Sequence, residues 1–168
     1  MKVTGYMIRE ALKQHELQRD AASRAFNGTL KAFPSDKKDN PKSVVAQFLK
    51  SETTISKLQV AQMRYNLGVF VDVQGEKMTL AEAIKRIGAD ARIEKMWRSA
   101  SAPKEDRYGR DDDERDPTRE RAVPTITASE STKLASLAAK RAGAFRQAIA
   151  VGNAFELELK DLDTALFE

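Results

Sequence analysis

Two stretches of helical periodicity, residues 4 to about 31 and residues 41 to about 67, leave this chain few ways to fold. In the first, Ile8, Leu12, His15, Arg19, Ala22 and Phe26 recur at steps of four and three, so they share one face of a helix. Thr4 stands where an N-cap is wanted, and Asn27-Gly28 is placed to end or weaken the helix. In the second, Val44, Phe48, Ile55, Leu58 and Tyr65 form a heptad-like stripe, with Ser51 and Gln62 at its polar steps and Val45 and Leu49 widening it. The breaker between them, Pro34-Ser35-Asp36-Lys37-Lys38-Asp39-Asn40, is a turn-rich linker. Asn40 then caps a helix whose first position, Pro41, has its φ preset for the purpose. Two long helices joined this way predict an antiparallel hairpin. Its polar steps predict a seam that fixes register, as buried polar residues do in coiled coils.

Local signals continue beyond the hairpin. Val69 to Val73 is β-branched and short, Gln74-Gly75 follows, and Gly75 supplies the positive φ of a β-turn. Thr79 and Glu82 have capping-box spacing, so a third helix starts there and runs to about Ala100 through Leu80, Ile84, Ile87, Ala91 and Trp97. Gly88 inside it invites a bend, with Asp90 available to recap. Thr127 and Glu130 repeat the box and open a fourth helix, striped by Leu134, Ala138, Arg141, Phe145 and Ile149 and ending near Gly152-Asn153. Phe155 to Leu159 alternates with period two, as a strand with one buried face does, and is expected to pair with the 69–78 hairpin. Residues 101–122 are charged, small or helix-breaking and cannot bury enough surface to offset their chain entropy, so a flexible charged loop is expected there. The fold class is therefore mainly α: a long helical hairpin plus two further helices with a small β element, in a single helical domain over 1–168.

Element order, together with Val73-Gln74-Gly75-Glu76-Lys77-Met78-Thr79-Leu80-Ala81-Glu82-Ala83-Ile84, resembles the septicolysin-like bacterial proteins. That resemblance implies a helical fold and carries over no catalytic residue. The family name implies a membrane toxin. No run here approaches the roughly 18 apolar residues of a membrane helix. Residues 1–18 lack the apolar core of a signal peptide, so a cytoplasmic location is expected.

The chain has no cysteine and one histidine, His15, which makes thiolate chemistry impossible and a transition-metal site unexpected. Asp111-Asp112-Asp113-Glu114 lacks the alternating ligands and glycine turn of a calcium loop, and reads as a solvated charge run. The glycines are scattered, with no phosphate-cradling loop, and no serine sits in a nucleophile elbow. No cofactor is expected. Catalysis by carboxylates, arginine and tyrosine stays open, behind a non-catalytic role.

Positive charge exceeds negative by only 29 to 25, and the signs are interspersed, which disfavours nucleic acid. The densest mixture of cations and large aromatics is Arg92, Trp97, Arg98, Lys104, Arg107, Tyr108 and Arg110. Guanidinium forks bind phosphate and aromatic faces stack on bases, so these residues are candidates for an anionic, nucleotide-like ligand. Arg141 joins them as a cation inside an apolar stripe. It is left to snorkel, to pair across a subunit interface or to line a pocket. Helices this long with narrow stripes are hard to bury in one subunit, so a homo-oligomer is expected. The expected function is a non-catalytic, self-associating sponge that sequesters a nucleotide-derived signal, in the manner of a viral anti-defence protein. The alternative is a structural or protein-interaction module with no small-molecule ligand.

Overall fold

The computed structural model describes residues 1–30, 39–101, 125–160 and 162–167. The expected breaker at 34–40 falls largely outside these residues. So does the expected charged loop at 101–122, and with it Lys104, Arg107, Tyr108 and Arg110. In chain order the elements are β1 (Lys2–Val3), α1 (Gly5–Thr29), α2 (Pro41–Gly68), β2 (Phe70–Val73), β3 (Glu76–Thr79), α3 (Leu80–Ser101), α4 (Ala128–Ala154) and β4 (Leu157–Glu158), then a 3-10 turn at Thr164–Phe167. The chain is mainly α with a minor β element, as its periodicities require. It divides into two compact units, Met1–Ala83 with Gln147–Glu168, and Ile84–Arg146.

In the first unit α1 and α2 form the hairpin. Thr4 caps α1 by accepting from the Met7 amide at 3.2 Å, and Asn40 caps α2 by accepting from the Lys42 amide at 2.9 Å. Each satisfies an amide that the helix itself leaves without a partner. Gly5 lies beside Tyr65 at one end and Arg19 reaches Glu52 further along, so the helices run antiparallel. Asn27-Gly28 does not stop α1, which runs on to Thr29. Burial follows one face of each helix: Ile8, Ala11, Leu12 and Ala22 on α1, and Val44, Ser51, Ile55, Leu58, Ala61 and Tyr65 on α2.

β2 and β3 pair Phe70 with Thr79 and Val73 with Glu76. Val71, Val73 and Met78 are buried and Phe70 points out, where the Lys77 ammonium lies 5.6 Å over its ring. Gln74 as well as Gly75 has positive φ, 57° and 89°, the requirement of a two-residue hairpin turn whose twist matches its strands. The Asp72 carboxylate accepts from the Gly75 amide at 2.8 Å and steadies that turn.

The strand expected at 155–159 shortens to Leu157–Glu158, and its partner is not the 69–78 hairpin. It pairs antiparallel with β1, Lys2 opposite Glu158 and Val3 opposite Leu157. The β2–β3 ribbon is a separate two-stranded sheet.

Within the second unit α4 opens on a complete capping box. The Glu130 amide donates to the Thr127 hydroxyl at 3.2 Å, and the Glu130 carboxylate accepts from the Thr127 amide at 3.0 Å. The Thr127 hydroxyl also donates to that carboxylate at 2.8 Å, and this bond first, then the amide's, favours the ionised form and holds Glu130 below its ordinary range. A group depressed in this way adds stability above its unfolded value and loses it as pH falls through the folded one. Thr127→Ala should cost about 1 kcal/mol near neutral pH. The gap between variant and parent urea midpoints should narrow in acid.

Candidate functional site

None of the four described members of the sequence-derived site lines the clefts of the first unit. All lie in the second unit. On α3, Arg92 is exposed and lies against Gly88, and the Arg98 guanidinium is held by Glu94 at 2.9 Å, one helical turn back. Trp97 is half-buried, and its carbonyl accepts from the buried Ser131 hydroxyl of α4.

Arg141 resolves differently from its stripe. The buried positions of α4 in this unit are Ser131, Ala135, Ala138, Ala142 and Phe145, a seam of mostly small side chains that leaves Arg141 just off it. Its side chain is 62% exposed, and Nε sits 3.8 Å from an oxygen of Asp90, whose side chain is 7% exposed. Asp90 is thus no recapping residue at a bend. It lies within an unbroken α3, with Arg141 as its counter-charge.

Clefts in the first unit are lined by other residues. One, of about 710 Å³, runs between α1 and α2. Ala21, Ala22 and Ala25 of α1 give it small apolar walls, while Gln18, Gln47, Ser51 and Thr54 bring amides and hydroxyls. Lys50 brings an ammonium that makes no ion pair among the described residues. The gap has a simple origin: alanines on one helix face short polar side chains on the other, and neither fills the space a leucine would. His15 lines this groove and a smaller hollow of about 320 Å³ with Met7, Glu10, Gln14 and Phe167. Its ring contacts Gln18 Oε1 at 3.1 Å through Nδ1 and the Leu166 carbonyl at 3.2 Å through Nε2. The sole histidine therefore ties the 3-10 turn to α1.

Beyond the groove, Arg19 spans the helices to Glu52 at 3.3 Å while holding Asp20 at 2.9 Å. The Asp20 hydrogen bond is the main cause of its raised pKa, with Glu52 adding to it. Sequence reading had placed His15, Arg19 and Ser51 on helix faces as parts of a seam. The signal it missed is the run of alanines opposite polar residues, which marks a place where two helices fail to close.

A further cleft, of about 420 Å³, lies between the second half of α2 and the segment from Leu159 to Leu166. Among the described residues, no group of three or more His, Asp or Glu side chains converges as metal ligands would. None of the helices is long and apolar enough to cross a membrane among these residues.

No family model matches the sequence, and no curated protein does. In fold the chain is similar to a functionally unknown conserved protein from Corynebacterium diphtheriae. The two superpose with a TM-score of 0.70 at 20% identity, over 94% of this chain and 100% of the other. At that identity the likeness shows the fold alone.

Proposed function

We propose that this chain is a non-catalytic helical protein that binds a small anionic, nucleotide-like ligand in the α1–α2 groove and withholds it from other users. The groove's lining carries the reading. Gln18 and Gln47 each offer a donor and an acceptor, which the edge of a base requires. Lys50, with no ion pair among the described residues, is a cation for a phosphate, and the alanine wall is a flat apolar surface for a ring. The volume lies in the ordinary range for small-molecule sites, roughly 300–1,000 Å³. Kinship with the septicolysin-like proteins, read from residues 73–84, is proposed alongside and assigns no activity.

A second reading, a self-associating or protein-interaction module without a ligand, is favoured by the outer face of α2. Val45, Leu49, Val60, Met63 and Leu67 recur there at helical spacing and are 41–64% exposed. Exposed apolar patches of this kind mark interaction surfaces.

One experiment addresses both. Native mass spectrometry of the purified chain, followed by titration with mono-, di- and cyclic nucleotides, reads adduct and oligomer together. The first reading expects a saturable nucleotide that Lys50→Glu weakens about tenfold or more. Arg107→Ala with Arg110→Ala tests the charged segment by the same measure. Loss in that variant alone would move the site out of the groove. No nucleotide bound by any form, with an oligomer present, would leave the second reading in its place.

A further inference from the structure

We propose that the cleft between α2 and the C-terminal segment is a second, independent binding site, built for a single medium-chain acyl carboxylate. Its walls are aliphatic: Val60 and Ala61 on α2, facing Leu159, Leu162 and Leu166. Ala61, Leu159 and Leu166 are buried, so the floor is part of the packed unit and does not depend on surface side chains. Around this floor stand three cations. Lys57 and Arg64 flank Val60 and Ala61 on one face of α2, and Lys160 stands on the opposite wall. None of the three makes an ion pair among the described residues.

The acid among the described lining residues has a local task. The Asp163 carboxylate accepts from the Ala165 amide at 3.0 Å and so caps the 3-10 turn. What remains is an apolar hollow lined by three cations that make no ion pair among the described residues. That combination complements a molecule with an apolar chain and a single anionic head. The chain gains by leaving water in proportion to the area it buries. The head is met by a guanidinium fork that suits a carboxylate. A nucleotide fits this lining poorly, because it offers no amide and no aromatic ring. The site shares no lining residue with the α1–α2 groove, so it stands whether or not that groove binds nucleotide.

The test is calorimetric titration of the full chain with decanoate, its shorter homologues, decanol and decyltrimethylammonium. One decanoate per chain is expected, with affinity falling about fourfold for each methylene removed. Decanol and the cationic analogue should bind about tenfold more weakly or worse. Lys57→Ala with Arg64→Ala should weaken decanoate by a similar factor, and Val60→Asp should abolish its binding. All three side chains are exposed, so an unchanged urea midpoint will show that the fold is intact. Lys50→Glu should leave decanoate binding unaltered.

Equal affinity for decanoate and decanol would overturn the proposal, as would full binding by the double variant. So would the absence of a saturable site at millimolar decanoate. If the chain instead binds phosphatidylglycerol vesicles and shows no saturable decanoate, the cations serve a surface and the cleft reading falls.

Discussion

Tyr65→Ala should cost about 3–5 kcal/mol, a large share of the roughly 5–15 kcal/mol that holds a domain folded. The ring is fully buried near the end of α2. Its hydroxyl serves the carbonyls of Gly152 and Phe155, each at 2.7 Å, where α4 ends. Removing the side chain leaves a cavity and strips a donor from two carbonyls. Tyr65→Phe separates the two losses. The Gly152 carbonyl keeps the Phe155 amide as a partner at 3.2 Å, so chiefly the Phe155 carbonyl goes without, and about 1 kcal/mol is expected. Urea unfolding should show both as lower midpoints at unchanged slope. Burial is the main cause of the raised Tyr65 phenol pKa. A group raised on folding contributes stability below its unfolded value and loses it as pH climbs through the folded one. The parent should therefore lose stability above pH ~10, and Tyr65→Phe should lack that alkaline loss.

Gly5→Ala should be the next most costly of these changes, about 1–3 kcal/mol. A Cβ at Gly5 would meet the Tyr65 ring at 2.9 Å and the Asn153 backbone at 3.2 Å, with the Asn153 side-chain oxygen closer still. The first turn of α1 sits against Tyr65 and Asn153 only because nothing projects from it there. Gly28, in the last turns of the same helix, is the control. A Cβ there would meet nothing within 4 Å, so Gly28→Ala should stabilise by about 0.5–1 kcal/mol. Opposite shifts of the thermal midpoint from one substitution type in one helix are the expected outcome. Two shifts of the same sign would mean that packing around Gly5 gives way.

What the sequence made legible was local. Thr4, Asn40-Pro41, Thr79 and Thr127 mark helix starts, and each signal lies within a few residues of the amide it satisfies. The partner of the last strand was not legible. β1 is two residues long, too short for any period to register, and it stands at the far end of the chain. The stripe on α4 was legible in part. Its Ala138 and Phe145 are buried, but Leu134 is only half-buried, Arg141 is exposed, and the seam of the second unit is completed by Ala135 and Ala142. Small residues pack where helices approach closely, and their side chains carry little hydrophobic signal. The groove escaped notice on the same ground, since it is defined by side chains that do not fill space. The cleft at Lys57 and Arg64 needed the fold itself, because its other wall is about a hundred residues away in the chain.

The Tyr65 hydroxyl has a kinetic meaning as well. It joins residues 87 and 90 positions apart, whereas the helices and the β2–β3 ribbon are made from near neighbours. Closing so wide a loop forfeits chain entropy before any contact rewards it. The helices and the ribbon are therefore expected to form early, and the fastening of the α4 terminus to α2 late. Interactions that form after the folding barrier act on the rate of escape from the native state. The phenol at position 65 is thus expected to act as a latch: Tyr65→Phe should speed unfolding more than it slows folding in stopped-flow measurements.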